Sequence, residues 1–201
     1  MTSGKNADKV AKKSRSGRGA PGAPDSGAVV RRRLEVAGFG AVTVIANDTA
    51  LLGVVFGDEP PMQKWAGAVE VSGRHDLLDR CEAALKSWAL GRPEGELLLR
   101  KLPCDLAGQT AFTRAVLTAT RAIPLGKPGS YGSVARAIGV PQAARAVGSA
   151  LGRNPLPIVI PCHRVLAGGG TIGGFTGGLA IKRALLKIEK TVVLGEKGLG
   201  E

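Results

Sequence analysis

From Leu34 onward the chain gathers its apolar side chains into short units of readable period. "RRRLEVAG", "AVTVIAND" and "ALLGVVFG" are β-branched, brief and bounded by Gly or Asn-Asp, which predicts hairpins of an antiparallel sheet. The period then changes. In "HDLLDRCEAALKSWALG", Leu77, Leu78, Cys81, Ala84, Leu85 and Trp88 recur at helical spacing, so Cys81 falls on a core-facing stripe. Residues 91–107, with glycine, two prolines and Cys104, predict a linker, and Cys104 takes no role there.

A second unit begins near Gln109. "TAFTRAVLTATRAI" predicts a helix with Phe112, Val116, Leu117 and Ile123 inward, stopped by Pro124. In "SYGSVARAIG", Ser130 is the expected N-cap and Gly139 the C-terminal stop. Pro141 is expected to open the next helix, "PQAARAVGSALG". Two short helices joined by a few residues with a glycine make a helix-turn-helix. A strand "LPIVI", a cysteine turn, a glycine-rich loop and a last helix "LAIKRALLKIEK" follow.

The first 30 residues have a different texture, rich in Lys, Arg, Ser, Gly and Pro and nearly free of large apolar side chains. They predict a disordered basic tail, with nine basic residues against two acidic ones through Arg33. Such a tail suits steering to DNA or plain solubility; an organellar transit peptide is a third reading. The 201 residues carry a net charge of +12, which favours a polyanionic partner such as nucleic acid. No apolar run approaches the ~20 residues of a membrane span, and no secretory signal is evident. Three cysteines and two histidines without zinc or disulfide spacing point to a reducing cytoplasm and no metal site.

Two places carry candidate chemistry. The second helix of the pair is made of small residues (Ala143, Ala144, Ala146, Gly148, Ser149 and Ala150), with Arg145 among them and Arg153 just beyond. It reads either as a tightly packed core helix or as one that lies close to a DNA backbone and inserts its arginine among the bases. The other place is "PCHR", where Cys162, His163 and Arg164 stand together. A thiol needs a base or positive charge to become a nucleophile, and the base needs an orienting carboxylate. Glu189, on the inward side of the last helix, is the candidate carboxylate. The competing reading is an inert buried thiol beside a surface histidine.

"IPCHRVL", followed by "GGFTGGLAIKRALLKIE" and preceded by "SYGSVARAIGVPQAARAVGSALGRNP", resembles the active-site segment of the O6-alkylguanine-DNA alkyltransferases, the methylated-DNA–protein-cysteine methyltransferases. The likeness covers roughly residues 110–190. It implies an α/β fold: a small ribonuclease-H-like domain with linker at 31–107, then a mainly helical, winged-helix-like domain with the helix-turn-helix at 108–191. A tail follows at 192–201. It also implies DNA repair by direct reversal. The alkyl group of O6-methylguanine in double-stranded DNA passes to the protein's own cysteine after base flipping, once per molecule, by a cytoplasmic monomer with no cofactor.

The resemblance assigns roles by position. Cys162 attacks the alkyl carbon; His163, polarised by Glu189, deprotonates it through a water; Asn154 braces the turn. Tyr131 presses the target phosphate and Arg145 fills the gap in the stack, with Ala144, Gly148 and Arg153 at the DNA. The carbonyls of Val165 and Cys162 and the amide of Thr176 read the base, while Phe175, Gly173, Gly177 and Gly178 shape its pocket. This chain departs from the family at Leu117, where a tryptophan is usual, and at Phe175, where some relatives have tyrosine. Two other functions compete: a module that recognises alkylated bases without repairing them, and a thiol hydrolase using Cys162 and His163.

Overall fold

The structure is a computed structural model that describes residues 27–57 and 63–191. Most of the tail expected over 1–30, and all of the one expected over 192–201, lies outside the described residues. Val30, expected as the last residue of the first tail, is buried and opens a strand.

Three strands, β1 (Val30–Val36), β2 (Gly40–Ala46) and β3 (Leu51–Phe56), run antiparallel, and the short β4 (Val69–Glu70) pairs parallel with β1, in the order 3-2-1-4. The register sets Leu34 opposite Val42 and Val36 opposite Gly40. Because side chains alternate, Val30, Leu34, Val36, Val42, Val44 and Ala46 share one apolar face, while Ile45 turns to the other and packs with Trp65. Gly53 is required there, since an added Cβ would run into the Trp65 ring. Arg32, at an inward position of β1, is neutralised by Asp79 at 2.6 Å and Glu82 at 3.3 Å.

Those carboxylates belong to α1 (Asp76–Ala89), which covers the sheet with Leu77, Leu78, Cys81, Ala84, Leu85 and Trp88, the predicted stripe. The expected linker contains a helix instead, α2 (Pro93–Lys101). Proline at its first position, Glu94 and Glu96 in its first turn and Arg100 and Lys101 in its last are helix signals in themselves, outweighed in the sequence reading by Gly91 and the two prolines. Gly95 lets α2 approach α1 so closely that a Cβ would strike the Trp88 backbone.

The second half is helical. α3 (Ala111–Arg121) is capped by the Thr110 hydroxyl and buries Val116 and Leu117. A parallel pair, β5 (Gly129–Ser130) and β6 (Val165–Leu166), frames the helix-turn-helix of α4 (Tyr131–Ala137) and α5 (Ala144–Leu151). Ser130 caps α4 in a reciprocal pair with Ser133, and Gly139 ends it at φ +77°. Pro141 does not open α5; it sits in the turn before, and the helix starts at Ala144. α6 (Leu179–Ile188) closes the fold.

"LPIVI" is no strand. Leu156 to Ile160 form a buried turn, with Ile158 in the left-handed region at φ +72° and the Ile160 amide donating to the Leu156 carbonyl at 2.8 Å. Pro155 and Pro157 remove the amide donors that a ladder needs. β3 docks on this turn through the Val54 amide, which donates to the Pro155 carbonyl at 2.8 Å. One apolar cluster therefore runs unbroken from Val30 to Leu185. The α/β class, with a ribonuclease-H-like sheet first and the helix-turn-helix after it, is as expected. No helix among the described residues is long and apolar enough to cross a membrane.

Candidate active site

Asn154 organises the buried turn. Its Oδ1 accepts from the Leu156 amide at 3.0 Å, and its Nδ2 donates both to the Ile160 carbonyl at 2.8 Å and to Cys162 Sγ at 3.1 Å. Pro161 then leads into a single 3-10 turn, Cys162–Arg164, closed by the Arg164 amide on the Pro161 carbonyl at 2.9 Å. So tight a turn points consecutive side chains in different directions. Cys162 meets the surface at 8% exposure, while His163 and Arg164 point inward and are buried.

His163 is not the surface residue of the inert-thiol reading. Its Nε2 lies 3.0 Å from Glu189 Oε1, and both side chains are wholly buried. Glu189 is the C-cap of α6, held there by backbone geometry. Lys190 adopts φ +51°, and the Thr191 amide donates back to the Leu186 carbonyl at 2.9 Å, with the Lys190 amide on Lys187 at 3.0 Å. Three more hydrogen bonds reach Glu189 from Arg164: Nε to Oε1 and Oε2 at 3.1 and 2.9 Å, and Nη2 to Oε1 at 2.8 Å. Trp88 Nε1 also donates to Oε1, at 3.0 Å. Burial works against ionisation of Glu189, but His163 and Arg164 outweigh it and hold its pKa down at about 2. Arg164 is itself shared, with Nη1 bonding Glu96 of α2 at 2.8 Å and the Ile123 carbonyl at 2.6 Å.

The Glu189 carboxylate can only accept, so the His163 nitrogen facing it is the protonated one. That leaves Nδ1 as the basic nitrogen, and Nδ1 is buried with no protein partner. Burial raises the Cys162 thiol pKa, against the Asn154 hydrogen bond and the positive charge of Lys182. Lys182 is a residue that the sequence reading missed. It is fully buried on the inner stripe of α6, and its Nζ donates to the carbonyls of Val165 at 2.8 Å and Gly174 at 3.2 Å. Arg164 and Trp88 were missed as site residues too. The signal for Lys182 was its place three residues before Leu185 on an apolar face, where an unpaired lysine does not belong.

Two cavities meet at the thiol. One, about 350 Å³, is lined by Tyr131, Gly148, Leu151, Gly152, Cys162, Gly174, Phe175 and Thr176. The other, about 600 Å³, shares Leu151, Gly152, Cys162, Phe175 and Thr176 with the first and reaches on to Phe56, Arg153, Asn154, Pro157, Gly177 and Ile181. Thr176 Oγ1 bridges between them to the Gly152 carbonyl at 2.9 Å. Val165 and Gly173 line neither cavity, and the Val165 side chain is buried. Gly173 stands beside the mouth, where its Cβ would come within 3.3 Å of Tyr131 Oη. Tyr131 Oη donates to the Gly174 carbonyl at 3.3 Å.

α5 is not a core helix on all sides. Val147, Ala150 and Leu151 face the core, whereas Arg145, Ala146 and Ser149 are exposed and Ala144 and Gly148 are half-exposed. Its small residues thus lie largely on the outer face, where core packing does not call for them, with Arg145 in their midst and Arg153 exposed at the end.

Comparison with known proteins agrees with this arrangement. The family model for the 6-O-methylguanine DNA methyltransferase, DNA binding domain, matches residues 111–191. The methylated-DNA–protein-cysteine methyltransferase of Mycobacterium tuberculosis is 48% identical over 97 residues, 48% of this chain and 58% of that protein. The protein of that name from Salmonella typhimurium is 49% identical over 87 residues, 43% of this chain and 51% of that protein. The matched segment therefore spans little more than half the length of these curated relatives. A crystal structure of Mycobacterium tuberculosis OGT in complex with DNA superposes with a TM-score of 0.66 at 31% identity, over 79% of this chain and 91% of that one. With a solved relative covered over nine-tenths of its length and the DNA-binding segment matched around Cys162, this chain belongs to the 6-O-methylguanine DNA methyltransferase family.

Proposed function

We propose that the chain repairs DNA by moving the alkyl group of O6-alkylguanine onto Cys162, once per molecule. One observation carries the reading: a thiol at the meeting point of two cavities stands directly before a buried His163–Glu189 pair whose remaining basic nitrogen has no partner. α5 lies along the duplex with its small face, Ala144 and Gly148 allowing close approach and Arg153 adding charge. A base in the stack is beyond reach of a side chain, so the lesion leaves the helix first; its weakened pairing lowers that cost. Tyr131 presses the phosphate of the target and Arg145 fills the vacated space.

The flipped guanine enters between Tyr131 and Phe175, with Gly173 and Gly177 leaving it room. The Thr176 amide and the Val165 and Cys162 carbonyls read its edge. The Val165 carbonyl holds Lys182 with one lone pair and keeps the other for the base. His163 Nδ1 takes the thiol proton through a water, and Glu189 stabilises the imidazolium. The S–C bond forms as the C–O6 bond breaks. The electron pair leaves with guanine, and a proton at N1 restores the normal base. A thioether has no easy reverse step, so the protein is spent. The division at residue 107/108, action as a monomer without a cofactor, and a reducing cytoplasm that keeps Cys162 free belong to this same reading.

The test is intact-mass spectrometry after incubation with a duplex carrying one O6-methylguanine. The expected result is a gain of ~14 Da, one methyl on the nucleophile, mapped to the Cys162 peptide and limited to one per protein. Cys162→Ala gains nothing yet still binds the lesion. Tight lesion binding by the unaltered protein without mass gain would instead mean recognition alone, and repeated turnover on a small ester would mean a hydrolase.

A further inference from the structure

Trp88 lies in α1, in the sheet-bearing half of the chain, 101 residues from the carboxylate that its indole N–H reaches. It is 1% exposed, and its ring packs edge-on to that of His163, with centroids 6.3 Å apart. Around Glu189 the charged and titratable groups are His163 and Arg164, both from the cysteine turn, with Glu96 of α2 on the far side of the Arg164 guanidinium. Among the described residues, Trp88 is the one hydrogen-bond donor that comes to Glu189 from the first half. Arg164 clamps the carboxylate from one side, with Nε on both oxygens and Nη2 on Oε1 at 2.8 Å. Trp88 adds a bond to Oε1 alone, the oxygen that His163 shares.

We infer that Trp88 is a positioning residue for the transfer step: its N–H, which can only donate, anchors Glu189 Oε1 from the sheet-bearing half and so fixes where that oxygen holds His163 Nε2 and where the free Nδ1 points. The inference rests on the alkyl-transfer reading for its kinetic consequence, and on geometry alone for the placement of the ring. With the indole donor removed, Oε1 is less well satisfied and draws the His163 Nε2–H more strongly. The ring follows, and Nδ1 leaves the position from which it serves Cys162. The relay is in this way completed by a helix outside the matched DNA-binding segment. Phe39 extends the support, with its ring 6.2 Å from Trp88 and 6.0 Å from Phe56, which in turn stands 6.0 Å from Phe175 at the cavity wall.

The experiment compares the unaltered chain with Trp88→Phe, Trp88→Tyr and Leu85→Ala. Nitrogen NMR of the His163 ring reads its hydrogen bond to Glu189, and single-turnover methyl transfer reads the relay. In Trp88→Phe the His163 Nε2 resonance moves while that nitrogen stays protonated, and transfer at neutral pH falls about tenfold. Trp88→Tyr, which keeps a ring and a donor, recovers most of the loss. Leu85→Ala, a cavity on the same helix face, lowers thermal stability and leaves the His163 resonances in place. A Trp88→Phe protein that folds with an unaltered His163 spectrum overturns the inference, as does a Leu85→Ala protein with the same spectral change. If Trp88→Phe does not fold, Trp88→Tyr decides: slowed transfer with an unaltered His163 spectrum overturns the inference. The expected spectral change without methyl transfer in any protein overturns the proposed function and leaves the positioning role standing.

Discussion

Lys182 Nζ donates to the Val165 carbonyl at 2.8 Å from a fully buried position, tying the strand after the cysteine turn to the glycine loop through Gly174. Its pKa is pulled down to about 8 by burial, with the Cys162 thiolate opposing. Lys182→Met has two expected effects. The Val165 carbonyl loses its lysine donor, at a cost of about 1–3 kcal/mol, while the Gly174 carbonyl keeps the Tyr131 hydroxyl. Cys162 loses the positive charge that counteracts its burial, so its thiol pKa rises further. Urea denaturation measures the first effect. The rate of iodoacetamide labelling at Cys162 against pH measures the second, and it shifts to higher pH; a profile unmoved by the substitution means that the ammonium does not act on the thiol.

Glu189 makes the fold sensitive to acid. Its pKa is about 2 in the folded protein against an ordinary 4.5, so its contribution is complete above pH 4.5 and disappears as pH falls from 4.5 toward 2. The shift corresponds to about 3 kcal/mol over that window. In Glu189→Gln the slope of stability between pH 4.5 and 2 flattens. The variant is also less stable at pH 7, by about 3–5 kcal/mol, because Arg164 is left buried without its main counter-charge. Thermal melts across the pH series distinguish the outcomes, and equal slopes in the two proteins would place the acid sensitivity elsewhere.

The sequence was most informative where one periodic signal met one local constraint. The apolar stripe of α1, the Ser130 cap, the Gly139 stop and the inward Glu189 all combine a period with a residue type suited to its place. What escaped depended on partners distant in the chain. Trp88 reads as core by spacing, and only the fold brings its N–H to Glu189. Arg164 stood in view inside "PCHR", but its grip on Glu96, Ile123 and Glu189 joins three separate segments. "LPIVI" misled because apolar β-branched residues suggest a strand, while the deciding hydrogen bonds come from the Asn154 side chain. The α2 helix carries its own start and stop signals, which Gly91 and the two prolines around it mask.

Lys190 offers a test of how Glu189 is aimed. It occupies the left-handed position after α6 at φ +51°, a place that glycine fills without steric cost. Its side chain is exposed and no buried contact depends on it. Lys190→Gly is expected to stabilise the protein, by about 0.5–1 kcal/mol, with transfer unaltered. Lys190→Val, β-branched and poorly suited to that conformation, should destabilise by a similar amount or more and slow transfer by displacing the Glu189 cap. Chemical denaturation ranks the three proteins. An order in which valine is as stable as glycine would mean that the turn after α6 is not held in this conformation in solution.

Arg145 separates base extrusion from chemistry. It is exposed among the small outer residues of α5, makes no part of the Cys162–His163–Glu189 cluster and lines neither cavity. If it fills the space left by a flipped nucleotide, its removal leaves unstacking, a few kcal/mol per step, without compensation. Arg145→Ala should then slow methyl transfer from duplex DNA tenfold or more, whereas reaction with free O6-methylguanine, which needs no extrusion, changes less than about twofold. Lysine at this position should recover only part of the duplex rate, because an ammonium is a compact, strongly hydrated charge and a poor substitute for a planar guanidinium against stacked bases. Binding of both variants to undamaged duplex should weaken with salt nearly as the unaltered protein does, since at most one phosphate contact is lost. Equal slowing on duplex and free base would remove Arg145 from the flipping step and assign it to the stability of the helix-turn-helix.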